Sequence, residues 1–264
     1  MRNIRITLAY RGTAYHGWQV QQNARSVCAA FQDGVEAVLG RRYDVKGCSR
    51  TDAGVHAGGF VLSVLCPEED APGIPCGALQ KALNNVLPRD MAVLSCADAP
   101  AEFHPRYDCV AKRYLYRVWN SPVKNPFLED LALQYRYLIR EELAAEAARQ
   151  FLGEHDFTSL CAAGGSVLDK TRTIYRCGVK RQGELVTLWV TGNGFLYNMV
   201  RILAGTVLEV CAGRLCPEEI PGILAAKDRS RAGPTLPPYG LYLDRVFYPG
   251  DNFMEYPTEE ILIV

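Results

Sequence analysis

Two stretches rich in β-branched and aromatic residues, Thr171 to Lys180 and Leu185 to Val190, are separated by little more than Gln182-Gly183 and read as a β-hairpin. Strands this close in sequence pair antiparallel, because a parallel neighbour needs a crossover of a dozen or more residues. That feature argues against a wound parallel sheet. It points to the α+β class, in which strands adjacent in sequence lie side by side.

The rest of the chain repeats the same ingredients. Ile4, Ile6, Leu8 and Tyr10 alternate with Arg5, Thr7 and Ala9, the period of a half-buried strand. Val27, Phe31, Val35, Val38 and Leu39 share a helical face, with Ser26 placed to cap its start and Gly40 its end. Phe60 to Leu65 and Met91 to Cys96 read as strands, and Leu79 to Leu87 as a helix stopped by Pro88. In the second half, Val110 to Trp119 and Leu241 to Tyr248 read as strands. A stripe from Leu143 to Phe151, Tyr197 to Cys211 and Pro217 to Lys227 read as helices. Each half mixes strands with two main helices, and no internal sequence repeat is visible. The expected organisation is two similar α/β subdomains with mainly antiparallel sheets, residues 1–106 and 107–264, and a central cleft between them.

Composition narrows the function classes. A hydrophobic content of 48% over 264 residues provides for a sizeable core. No apolar run approaches the roughly 18 residues of a membrane span. Met1-Arg2-Asn3-Ile4-Arg5 runs straight into strand alternation without the apolar core of a signal peptide, so a cytoplasmic location is expected. The ten cysteines are irregularly spaced with no Cys-x-x-Cys pair, and the four histidines are scattered, which argues against a zinc or redox motif. Lys and Arg number 29, as do Asp and Glu, so charge alone does not mark a duplex-binding protein. A zinc-dependent base deaminase would need His-x-Glu and Pro-Cys-x-x-Cys, and a phosphate-binding loop Gly-x-x-x-x-Gly-Lys; neither occurs.

Two charged positions stand out. Asp52 lies beside Arg50 in Ser49-Arg50-Thr51-Asp52-Ala53-Gly54-Val55-His56-Ala57-Gly58-Gly59, a segment too poor in large side chains to suggest core. Glycine lets another molecule approach closely, so the acid reads as a nucleophile or base and the arginine as an anion contact. A polar turn before a strand explains the same residues. Arg201 is the only charge between Leu185 and Leu208. It is either paired within an apolar helix or extended to the surface.

The motifs Tyr10-Arg11-Gly12-Thr13, Gly17-Trp18-Gln19-Val20-Gln21 and Arg50-Thr51-Asp52-Ala53-Gly54-Val55-His56-Ala57 closely resemble those of the bacterial tRNA pseudouridine synthase A (TruA) family. Further matching blocks are Phe103-His104-Pro105-Arg106-Tyr107, Lys112-Arg113-Tyr114-Leu115-Tyr116 and Gly153-Glu154-His155-Asp156-Phe157-Thr158-Ser159. Phe195-Leu196-Tyr197-Asn198-Met199-Val200-Arg201, Ala226-Lys227-Asp228-Arg229 and Gly240-Leu241-Tyr242-Leu243 complete the series in family order. The chain departs from the pattern at Arg11, Cys28, Ser49 and Pro234 to Tyr239.

The resemblance implies the pseudouridine synthase fold and isomerisation of uridine to pseudouridine in tRNA, without cofactor or metal. It implies Asp52 as catalytic nucleophile, Tyr114 as the tyrosine stacking on the uracil, and Arg201 as the arginine paired with Asp52. Arg50 would assist base flipping and contact phosphate, and Leu243 would pack near the flipped base. The resemblance also implies a homodimer that receives tRNA, with targets at positions 38, 39 and 40 of the anticodon stem-loop. Two readings compete: a paralogue acting on another RNA, and a non-catalytic RNA-binding or tRNA-folding module.

Overall fold

Alternation at the N-terminus produces strand β1 (Arg2–Tyr10), whose Ile4, Ile6 and Leu8 side chains are fully buried. In the computed structural model, which describes residues 1–68, 73–165 and 167–257, the chain falls into two units. The first comprises Met1–Val110 with Leu243–Asn252, and the second Ala111–Tyr242 with Phe253–Tyr256.

In the first unit β1 pairs antiparallel with β3 (His56–Cys66) on one side and β4 (Met91–Ala99) on the other. The short β2 (Asp44–Gly47) also pairs with β3. β3 extends four residues upstream of the expected Phe60, because Ala57 pairs with Tyr10 through its backbone and needs no alternating side chains. Helix α1 (Val27–Leu39) starts where Ser26 Oγ accepts from Ala29 N at 3.2 Å, and ends where Gly40 adopts a left-handed φ of 74°. Helix α2 (Cys76–Val86) is tied to β4 by Asn84, whose Oδ1 accepts from Val93 N at 2.7 Å and whose Nδ2 donates to Val93 O at 2.9 Å.

The second unit contains β5 (Ala111–Asn120), β6 (Leu133–Tyr135), α3 (Glu141–Arg149), β7 (Gly153–Asp156), β8 (Thr171–Gln182), β9 (Leu185–Gly192), α4 (Met199–Cys211) and α5 (Ile220–Ala226). Its strand order is β5-β9-β8-β7, all antiparallel. The expected hairpin is β8–β9, closed by Gly183 at φ 61°. β6 lies parallel beside β5, with the stretch from Ser121 to Ala132 as its crossover. The expected helix from Pro217 is divided into a 3-10 turn, Pro217–Glu219, and α5, which has Pro221 in its first turn. Pro221 lacks the N–H that continuous helical bonding would use there.

Strand β10 (Leu241–Phe247) is next to β3 in sheet order. Gly59 makes that approach possible: a Cβ there would sit 2.5 Å from the Asp244 carbonyl oxygen. Among the described residues, no helix is long and apolar enough to cross a membrane.

Candidate active site

The Asp52 loop is built by packing two irregular segments of the first unit against each other. One is the stretch between β1 and α1, and the other joins β2 to β3. Trp18 N donates to Thr51 O at 3.1 Å, and Gly54 N to Tyr15 O at 3.2 Å. Tyr10 Oη and Thr51 Oγ1 share a buried 2.8 Å hydrogen bond. Gly12 N donates to His56 Nδ1 at 2.9 Å, so that ring nitrogen carries no proton here.

Glycines bring these segments together. A Cβ at Gly12 would fall 2.0 Å from Val55 O, and one at Gly17, where φ is 84°, would fall 2.5 Å from Thr51 O. Within the loop Val55 N bonds back to Asp52 O at 3.2 Å, closing a tight turn whose third residue, Gly54, has a φ of 77°. Trp18 stacks on Phe60 with ring centroids 4.1 Å apart.

The result is a buried base beneath a partly open carboxylate. Thr51, Val55, His56 and Ala57 are buried, Asp52 is half-buried and Arg50 is exposed. The segment therefore does contribute to the core, contrary to what its small residues suggest. Gly54 serves the turn, and Gly59 serves the contact with β10.

The second unit carries Tyr114 and Arg201. Tyr114 projects from β5, is 7% exposed and meets Phe195 edge-on at 5.0 Å. Tyr116, two residues along on the same face, donates its hydroxyl to Pro237 O at 2.9 Å. Burial pushes that phenol's pKa well above its ordinary range, so Tyr116 stays protonated. Arg201 is half-buried in the first turn of α4. Its Nε donates to Leu236 O and its Nη1 to Asn198 Oδ1, both at 2.6 Å. Leu243, in β10, is fully buried.

Two further blocks singled out in the sequence are joined by an ion pair. Lys227 Nζ lies 2.7 Å from Asp156 Oδ2, while Asp156 Oδ1 accepts from Thr158 N at 2.9 Å and Thr158 Oγ1 at 2.6 Å. The bonds from Lys227 and Thr158 draw the Asp156 pKa down to about 2. Cys28, one of the departures, is buried in α1, and burial raises its thiol pKa to about 11. Among the described residues, no three His, Cys, Asp or Glu side chains gather as a metal site.

Sequence reasoning passed over Tyr10, Thr51 and His56 as supports of the Asp52 loop, and Asn198 and Leu236 as partners of Arg201. Asn198 alone left a signal, since asparagine ahead of an apolar helix marks a helix start.

A family model described as tRNA pseudouridine synthase matches residues 6–108 and 147–249. A curated tRNA pseudouridine synthase A from Ruminiclostridium cellulolyticum is 43% identical over 94% of this chain and 100% of its own length. Its counterpart from Anoxybacillus flavithermus is 44% identical over 94% of this chain and 99% of its own. That from Caldicellulosiruptor bescii is 38% identical over 94% and 100%. Among solved structures, a chain from a Cbf5-Nop10-Gar1 complex aligns over 77% of this chain and 53% of its own, with 12% identity and a TM-score of 0.32. Matched through both halves by the family model and along nearly its whole length by these relatives, the chain belongs to the tRNA pseudouridine synthase family.

Proposed function

We propose that the protein isomerises uridine to pseudouridine in tRNA, with Asp52 as nucleophile. The observation that carries this reading is end-to-end similarity to proteins named tRNA pseudouridine synthase A, in a chain that holds Asp52 half-open on a tightly braced loop.

The chemistry suits side chains acting alone. The N1–C1′ bond breaks, the uracil turns, C5 bonds to C1′, C5 gives up its proton and N1 gains one. Every atom of the uridine is kept apart from exchanged protons, and there is no net oxidation. Such a path calls for an anionic nucleophile that can later leave, which an aspartate supplies. Arg201 contributes the positive charge that favours the ionised carboxylate. Tyr114 stacks on the uracil, and Arg50 contacts phosphate and assists extrusion of the base from its stem. Leu243 backs the flipped base from within the core.

The proposal extends to a cytoplasmic homodimer acting at tRNA positions 38, 39 and 40. Recognition of a stem by shape and backbone, rather than by base edges, suits such a target.

The test is tritium release from C5-labelled uridine in unmodified tRNA, followed by mapping of the modified positions. Release mapping to positions 38–40 supports the full reading. Release elsewhere, or from another RNA, corrects the substrate. Tight tRNA binding without release leaves the RNA-binding module. Sedimentation of the purified protein tests the dimer.

A further inference from the structure

Asn198 occupies the N-cap of α4 in an unusual way. An N-cap residue normally has extended backbone, and its side chain accepts from an N–H of the first helical turn. Asn198 instead adopts the left-handed region, φ 60° and ψ 8°, and makes no side-chain bond to the helix end. Left-handed backbone costs roughly 1–2 kcal/mol for an L-residue, and asparagine is one of the few non-glycine types that visits it routinely. Its carbonyl still accepts the first helical bond, from Ile202 N at 3.0 Å. The side chain is redirected to Arg201, three residues on and hence on the same side of the helix.

A further hold on Arg201 comes from the Leu236 carbonyl. Its segment is itself pressed onto α4. A Cβ at Gly205 would meet Pro234 O at 2.0 Å, and Gly233 N donates to Thr206 Oγ1 at 3.0 Å. Guanidinium N–H groups point in fixed directions within one plane. Holding Nε from one side and Nη1 from another sets that plane and, with it, the direction of Nη2.

We infer that Asn198 is a positioning residue for catalysis, adopting left-handed backbone so that its side-chain oxygen aims the Arg201 guanidinium. This rests on the catalytic reading of Arg201 proposed above.

The left-handed backbone provides a clean test. Asn198→Gly fits φ 60° without strain and removes only the side-chain acceptor. It is expected to keep wild-type thermal stability and KM for tRNA while kcat falls about 10- to 100-fold, the scale of a misplaced catalytic group. Asn198→Asp keeps an oxygen acceptor at the same reach and is expected to lose less than Asn198→Gly. Wild-type kcat in Asn198→Gly overturns the inference, as do equal losses in the two variants. Arg201→Gln is assayed in parallel. If it turns over at the wild-type rate, the catalytic reading of Arg201 fails. If it is crippled while Asn198→Gly is not, only the positioning role fails.

Discussion

Tyr10 Oη and Thr51 Oγ1 lie 2.8 Å apart, joining the last residue of β1 to the residue immediately before Asp52. Tyr10 is part of β1, which pairs with both β3 and β4, so this bond ties the candidate nucleophile's backbone to the sheet.

Removing one partner leaves a buried hydroxyl unsatisfied, at about 1–2 kcal/mol. Tyr10→Phe is therefore expected to lower stability by that amount in urea titration and to reduce tritium release. Thr51→Val, made with it, should cost little more, because the second change removes the orphaned group. A double-mutant cycle showing simple additivity would mean that the two hydroxyls act independently.

Gly17 and Gly40 both have positive φ, 84° and 74°, but only Gly17 faces an obstruction. Gly40→Ala is expected to cost about 1–2 kcal/mol from backbone strain alone. Gly17→Ala adds a clash with the Thr51 carbonyl and should cost about 2–4 kcal/mol, with loss of turnover. Denaturation of the two variants side by side checks the ordering.

Asp52→Asn keeps the shape of the side chain and removes its charge. Turnover is expected to fall by at least about 10³-fold, while the variant stays folded at the assay temperature. Tritium release and thermal melting measure the two effects.

The Asp156 carboxyl has its pKa lowered to about 2 in the folded protein. A depressed folded pKa stabilises above the unfolded value, near 4, and that contribution is lost as pH falls through about 2. Because Lys227 is 59% exposed, solvent screening holds the contribution to about 1 kcal/mol. Asp156→Asn is expected to be less stable than wild type by that amount at pH 7. The gap should close between pH 4 and pH 2, and urea titrations across that range would show it.

Much of the fold was legible because side-chain periodicity and caps are local. Ser26 and Gly40 bound α1 as expected, and Gly183 closes the β8–β9 hairpin. The strands that escaped, β2, β6 and β7, have only three or four residues each, too few for a period to register. Helix α4 begins at Met199 rather than Tyr197 because Asn198 takes left-handed backbone. The similarity of the halves, invisible as a sequence repeat, emerges when a family model matches both.

The site was legible where charge stood in unusual company, as at Asp52 and Arg201. Its supports were not. Whether Thr51 meets Tyr10, or Arg201 meets the Leu236 carbonyl, depends on neighbours 35 or 41 positions away.

The placement of β10 beside β3 bears on how the protein emerges from the ribosome. Residues 1–110 leave early, yet the strand that covers β3 is encoded some 130 residues later, from Leu241. Until then the stretch of β3 around Gly59, outside the Leu62–Leu65 segment that β2 pairs, presents backbone groups on its β10 side ready to pair with another chain. A fragment cut after Val110 is thus an aggregation hazard, and the first unit matures only when β10 has been made.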